Sequence, residues 1–176
     1  MSKLIVNTIE AQTYKYDSDT TGMTIDSVGR LVTNSNRPSF MAHAWAGATT
    51  NGNSVGSDQD VWYYTTVQHN QGGHFVNTST NGGTFTAPIT GIYFMSGGFG
   101  YKNGTNYTGF YVWHNTTNIF RAWTPNTTPQ HHNATWSAPV LMAAGDTICM
   151  AHANAYETPN QSTNEPFIFF AGMFMG

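Results

Sequence analysis

The sequence predicts an all-β sandwich of about ten antiparallel strands, preceded by a short extended arm. Three observations point there. Short apolar and aromatic runs alternate with clusters of Asn, Gly, Asp and Thr such as "TNGN", "HNQGG", "TNGG", "KNGTN" and "AAGD", which is turn chemistry. No window of a dozen residues keeps helical spacing without an interrupting Gly, Pro or Asn. Charge is also unevenly divided: residues 1–37 hold eight of the fifteen charged residues (6 Lys and Arg, 9 Asp and Glu), while the aromatics gather after "SNRPSF".

The charge division sets the first boundary, near Pro38, giving an arm over 1–37 and a head over 38–176. In the arm, "SKLIVNTIEA" offers Leu4, Ile5, Val6 and Ile9 as apolar positions for anchoring on a partner. In the head the expected strands are, in order, "SFMAHAWA", "DVWYYTTV", "GHFVN", "GTFTA", "GIYFMSGGFGY", "YTGFYVWH", "NIFRAW", "SAPVLMA", "DTICMAHA" and "PFIFFAGMFMG". The fifth of these alternates with Tyr93, Met95, Phe99 and Tyr101 on one face and Ile92, Phe94 and Ser96 on the other, so both faces begin apolar. In the last, Phe167, Phe169, Met173 and Met175 share a face opposite Ile168, Phe170 and Phe174. A strand that is apolar on both sides must be covered twice, which predicts burial between subunits as well as in the core. The Tyr93 set and the Phe167 set are the faces assigned to that interface or core. Gly97 and Gly98 mark a bulge or a close backbone approach.

Composition excludes several functions. Charged residues are 9% of the chain and the net charge is −3, so no basic patch exists to neutralise nucleic-acid phosphates. The single cysteine, Cys149, sits in the apolar run "DTICMAHA" and reads as a small buried hydrophobe. No signal-peptide core is visible, and the most apolar segment falls well short of the roughly 20 residues of a membrane span, so no membrane insertion is expected.

The head resembles the trimeric jelly-roll domains of the complement C1q and tumour necrosis factor superfamily. Tyr64, Asn70 and Phe75 follow the spacing of the family's central signature, Phe85 precedes the Gly91-x-Tyr93 element, and Gly145-Asp146 resembles the turn before the penultimate strand. "FIFFAGMFM" is similar to the closing strand. Met95 and Gly97 stand where the family favours aromatics. The resemblance implies a C1q/TNF-like jelly roll and a homotrimer. The arm is similar to the opening of small virion proteins of marine tailed phages, through "SKLIVNTIEAQ" and the richness in Asn and Thr, 43 of 176 residues. That likeness implies a virion structural protein, assembled in the host cytoplasm and displayed on the particle, whose partner is the major capsid protein or a tail component.

Candidate sites are few. The chain has seven histidines, and the adjacent pair His131 and His132 points to opposite faces of a strand, so only copies around a trimer axis would bring such groups together on a metal. Solvated loop histidines are the ordinary alternative. Asp58 and Asp60 resemble calcium ligands of some C1q-like domains, but two carboxylates are far from the six to eight oxygens calcium takes. No nucleophile, base and orienting acid converge, so a non-enzymatic protein without a cofactor is expected. Tyr107, Trp113, Trp123 and Trp136, set among Asn and Thr, offer ring faces for a host-surface polysaccharide; the same residues would equally serve as core strands with polar turns.

Overall fold

A computed structural model describes residues 13–15, 21–25, 31–33, 37–44, 50–54, 60–102, 108–124, 131–152 and 168–176. The chain divides into two units, Met1–Arg37 and Pro38–Gly176. In the first, β1 (Thr13–Lys15), β2 (Thr21–Ile25) and β3 (Leu31–Thr33) form an antiparallel meander, with Tyr14 opposite Met23 and Thr24 opposite Val32. The anchoring positions Leu4, Ile5, Val6 and Ile9 lie outside the described residues.

The second unit contains β4 (Ser39–Ala44), β5 (Thr50–Ser54), β6 (Asp60–Trp62), β7 (Thr66–Gln71), β8 (Phe75–Thr78), β9 (Gly82–Thr86), β10 (Gly91–Lys102), β11 (Thr108–His114), β12 (Thr117–Thr124), β13 (His131–Met142), β14 (Thr147–His152) and β15 (Ile168–Phe174). They form two antiparallel sheets. One has five strands in the order β13-β10-β15-β4-β7; the other has seven, β12-β11-β14-β6-β5 with the β8–β9 hairpin joined through β9 to β14. All ten expected runs are represented. "DVWYYTTV", however, is two strands: Trp62 ends β6 in one sheet, Thr66 opens β7 in the other, and the chain crosses between them at Tyr63–Thr65. "TNGN" is not a turn but part of β5, paired with β6.

Side-chain amides replace missing ladder bonds where the chain changes direction. Asn77 accepts from Tyr64 N–H at 2.9 Å through Oδ1 and donates to the Tyr64 carbonyl at 2.6 Å, satisfying the backbone at the sheet crossing. Asn70 does the same for Phe75, at 3.0 and 2.8 Å, and closes the turn between β7 and β8.

Between the sheets the inward positions make an aromatic core. Phe40 stacks on Phe75 at 4.4 Å and on Phe85 at 5.0 Å, and meets Phe170 edge-on at 4.9 Å. A second group joins Trp62 to Phe99 at 5.9 Å and to Phe110 at 6.0 Å. Each such side chain contributes roughly 1.5–3 kcal/mol on burial, and each favourable ring pair about 0.5–1.5 kcal/mol more. Gly97 lies where these sheets approach: a Cβ there would collide with Met150 Sδ on β14. Gly97 thus serves inter-sheet packing, while a Cβ on Gly98 would crowd Ala134, Thr135 and Phe169 of its own sheet; neither marks a bulge, since β10 pairs with β13 without interruption from Gly91 opposite Met142 to Lys102 opposite His131. Among the described residues no helix is long and apolar enough to cross a membrane.

Candidate functional site

Period-two alternation gives the five-stranded sheet one face toward the core and one away from it. The pairing registers place the outward residues in rows. Leu141 lies beside Ile92; Pro139, Phe94, Met173, Ser39 and Gln71 form the next row; Ser137, Ser96, Ala171, Met41 and His69 the next; Thr135, Gly98, Phe169, His43 and Thr66 the one after. Over β13, β10 and β15 the first two rows are apolar and open to solvent: Leu141 is 71% exposed, Met173 51%, Ile92 45% and Phe94 38%. Toward the other end serines, threonines, a glycine and two histidines enter around Ala171, Met41 and Phe169. None of the described side chains in these rows is Asp, Glu, Lys or Arg.

The third row is lower than its neighbours. Ser96 and Ala171 form the floor of a depression of about 250 Å³, walled by Phe94, Met173, Met41 and His69. Small residues between large ones on a pleated surface make such a hollow without any backbone distortion. His69 is its one titratable lining group.

The residues singled out by the sequence separate here. Tyr93, Met95 and Phe99 are fully buried between the sheets, with Tyr93 5.5 Å from Phe85 and its hydroxyl donating to the Ile89 carbonyl at 2.8 Å. They are core and cannot be interface; on β10 the outward set is Ile92, Phe94 and Ser96. On β15 the reverse holds, since Ile168 and Phe170 are buried while Phe169 is half-buried and Met173 and Met175 are exposed. The Tyr101 side chain and Phe167 lie outside the described part.

The glycan reading of the loops is corrected in part. Trp136 is 7% exposed and packs on Phe120 at 6.0 Å from inside β13, so no sugar ring reaches it. Trp113 is half-buried on the outer side of β11, 6.4 Å from Tyr111. Tyr107 and the Trp123 side chain lie outside the described part. His131 and His132 belong to β13, opposite Lys102 and Tyr101, so they are strand and not loop; their side chains, like that of Asp60 in β6 and all of Asp58, lie outside the described part. Among the described residues no three His, Cys, Asp or Glu gather where they could hold a metal.

One polar cluster was missed beyond its Asp. His114 Nε2 lies 2.9 Å from Asp146 Oδ2, which also accepts from Ala143 N–H at 2.8 Å, while Asn115 Nδ2 donates to Oδ1 at 2.8 Å. Asn115 Oδ1 in turn accepts from Thr147 N–H at 2.8 Å. Asn115 takes φ 52° and Gly145 φ 92°, so two tight turns are latched together by one carboxylate. The Asn115 amide, the Ala143 N–H and His114 hold the Asp146 carboxyl below its ordinary range. Both oxygens are committed to the turns. Cys149 is buried at 5% exposure, and desolvation pushes its thiol up to about 12, out of reach of nucleophilic chemistry.

The model of the C1q domain matches residues 44–175. The chain belongs to the C1q domain family. The globular domain of zebrafish complement 1qA protein is similar over 80% of this chain and 98% of that one, with a TM-score of 0.57 at 12% identity. The crystal structure of murine APRIL is similar over 79% of this chain and 99% of that one, also at 0.57, with 14% identity. At such identities the likeness is one of fold, the C1q/TNF jelly roll. A search of curated proteins returns no match. C1q/TNF domains typically assemble as trimers and are generally non-enzymatic.

Proposed function

We propose that the protein is a non-enzymatic structural component of a phage particle, in which three C1q-like heads assemble and the unit over residues 1–37 fastens the trimer to the particle surface. The observation that carries the assembly is the outward face of the five-stranded sheet, where Leu141, Ile92, Phe94 and Met173 form one open apolar patch without a charge in it. Contiguous apolar surface of this kind marks a protein partner. The supports for the particle are the likeness of the first residues to virion openings and the gathering of charge in the first unit. The partner is the major capsid protein, which makes this a decoration protein, or a tail component, which makes it a fibre or knob.

Two measurements test the reading. Sedimentation of the full chain should give three copies per particle of protein; a monomer at high micromolar concentration overturns the assembly. Cross-linking mass spectrometry on purified virions, through Lys3 and Lys15, should tie the first unit to capsid or tail, and absence of the protein from virions overturns the location.

A second reading, attachment to a host polysaccharide, is favoured by Tyr111 and Trp113 on the outer side of β11, with exposed Arg121 directly opposite Tyr111 on β12. Adjacent ring faces beside a multi-donor cation suit a sugar. A glycan array with no binding at high micromolar protein removes it.

A further inference from the structure

We propose that the outer side of the seven-stranded sheet binds a carboxylated sugar, with Tyr111 and Trp113 as the ring platform and Arg121 as the partner of the carboxylate. This rests on the second reading above, attachment to a host polysaccharide, and adds to it the chemical class and the residue that selects it. Alternation fixes which side chains the site can use. Phe110 and Val112 on β11 and Ile148 and Met150 on β14 belong to the core, so Tyr111 and Trp113 and, across from them, Ala151 and Cys149 point away from it. The two β14 positions are small and buried, at 0% and 5% exposure, so neither rises between the rings and solvent. The rings lie 6.4 Å apart, tilted by 47°, and each is half-buried with part of its surface open. Arg121 is exposed and faces Tyr111 from β12, one strand spacing of about 4.8 Å away. Beyond Cys149 the row continues to Thr84 on β9, which adds a hydroxyl.

The guanidinium decides the class. Beyond Arg37 the chain has five carboxylates and two cations, Lys102 and Arg121, so a positive group here stands against the sign of its own unit. Among the described residues Arg121 makes no ion pair, and the Asp146 carboxylate has both oxygens held by the turns it latches. An exposed planar fork of N–H donors without an internal acceptor matches a carboxylate through two parallel bonds. The rings take the apolar face of a pyranose while their polar edges and the threonine meet its hydroxyls. One cation beside two rings suits a polymer that carries one carboxylate on each sugar. A heavily sulfated polymer would call for a cluster of basic residues. The described side chains of these rows include none besides Arg121, and no Asp or Glu to repel an acid.

The test is titration calorimetry of the full chain with trisaccharides of galacturonate and of mannuronate, each beside its methyl ester, which keeps the ring and removes the charge. The acids should bind roughly tenfold tighter than their esters, or better. Arg121→Gln should lower the acid affinity to the level of the ester, roughly tenfold to a hundredfold, and leave the ester unchanged. Arg121→Lys should recover only part of the loss, since the charge returns without the fork. Trp113→Ala should weaken acid and ester alike, and Tyr111→Ala supplies an independent removal of ring surface should the tryptophan change lower the melting temperature. Acid and ester of equal affinity, or an acid affinity untouched by Arg121→Gln, overturn the carboxylate site and leave the polysaccharide reading standing. A sulfated trisaccharide that binds more tightly than the acids overturns it likewise. Binding of neither acid nor ester overturns the site, and a blank glycan array beside that result removes the polysaccharide reading with it.

Discussion

The two faces of the five-stranded sheet are built from the same kinds of residue and do different work. Tyr93, Met95, Phe99 and Phe170 look inward and are fully buried; Ile92, Phe94, Leu141 and Met173, interleaved with them or one strand away, look outward and stay open. The inward face meets rings of the opposite sheet at fixed distances, as Phe40 does with Phe75 and Phe85. On the outward face Ile92, Phe94, Leu141 and Met173 stay open among the described residues, and the face includes a hollow. Hydrophobicity therefore does not separate core from open surface here; what separates them among the described residues is whether the opposite sheet covers the face.

Substitutions should break this comparison unequally. The largest effect is expected on the inward face, where Phe170→Ala removes a ring lying 4.9 Å from Phe40 and 6.1 Å from Phe75. A loss of about 3–5 kcal/mol, read by urea denaturation, would unfold much of a marginal domain. Next comes Gly97→Ala, whose new Cβ runs into Met150 Sδ; overpacking of this kind costs about 1–3 kcal/mol, and Met150→Ala in the same chain should return part of it. Third, Met173→Asp on the outward face should shift the monomer's stability by no more than about 0.5 kcal/mol while abolishing trimers in sedimentation. An unchanged trimer would mean that assembly uses another surface.

The smallest effect belongs to the turn latch, in the turn that follows β13. The Asp146 carboxyl titrates below the ordinary 3.8, so its stabilisation is complete above that value and is lost as pH falls through the lower folded value. The denaturation midpoint should therefore drop between about pH 5 and pH 2 in the wild type and drop less in Asp146→Asn. Equal drops would show that other carboxylates govern the acid limb.

Legibility in the sequence followed the same division. The order of the strands could be read because turn clusters such as "HNQGG" and "AAGD" interrupt short apolar runs, and the C1q resemblance followed from Asn70, Phe75, Phe85 and Tyr93 at their spacings. The choice of face could not. Alternation sorts β10 into two sets, but Tyr93 with Met95 and Ile92 with Phe94 are equally apolar, and only the opposing sheet decides which set is inside. Trp136 misled for a related reason: its Asn- and Thr-rich surroundings resemble a loop, yet the segment pairs with the whole length of β10 and turns the indole inward. β5 was hidden because "TNGN" is turn chemistry locally, and its pairing with β6 overrides that preference. The latch was half visible, as Asp146 in its turn; His114 and Asn115 come from another hairpin and no spacing links them.

Cys149 has a practical consequence. With its sulfur enclosed and its proton held to about 12, the native thiol is silent toward alkylating and fluorogenic reagents at neutral pH. A single cysteine introduced at an outward position such as Thr135 would then react alone, without first deleting the natural one and disturbing the packing around it. The folded chain thus provides its own dark background for site-specific labels, and the association of its copies can be followed optically, in real time, on otherwise native protein.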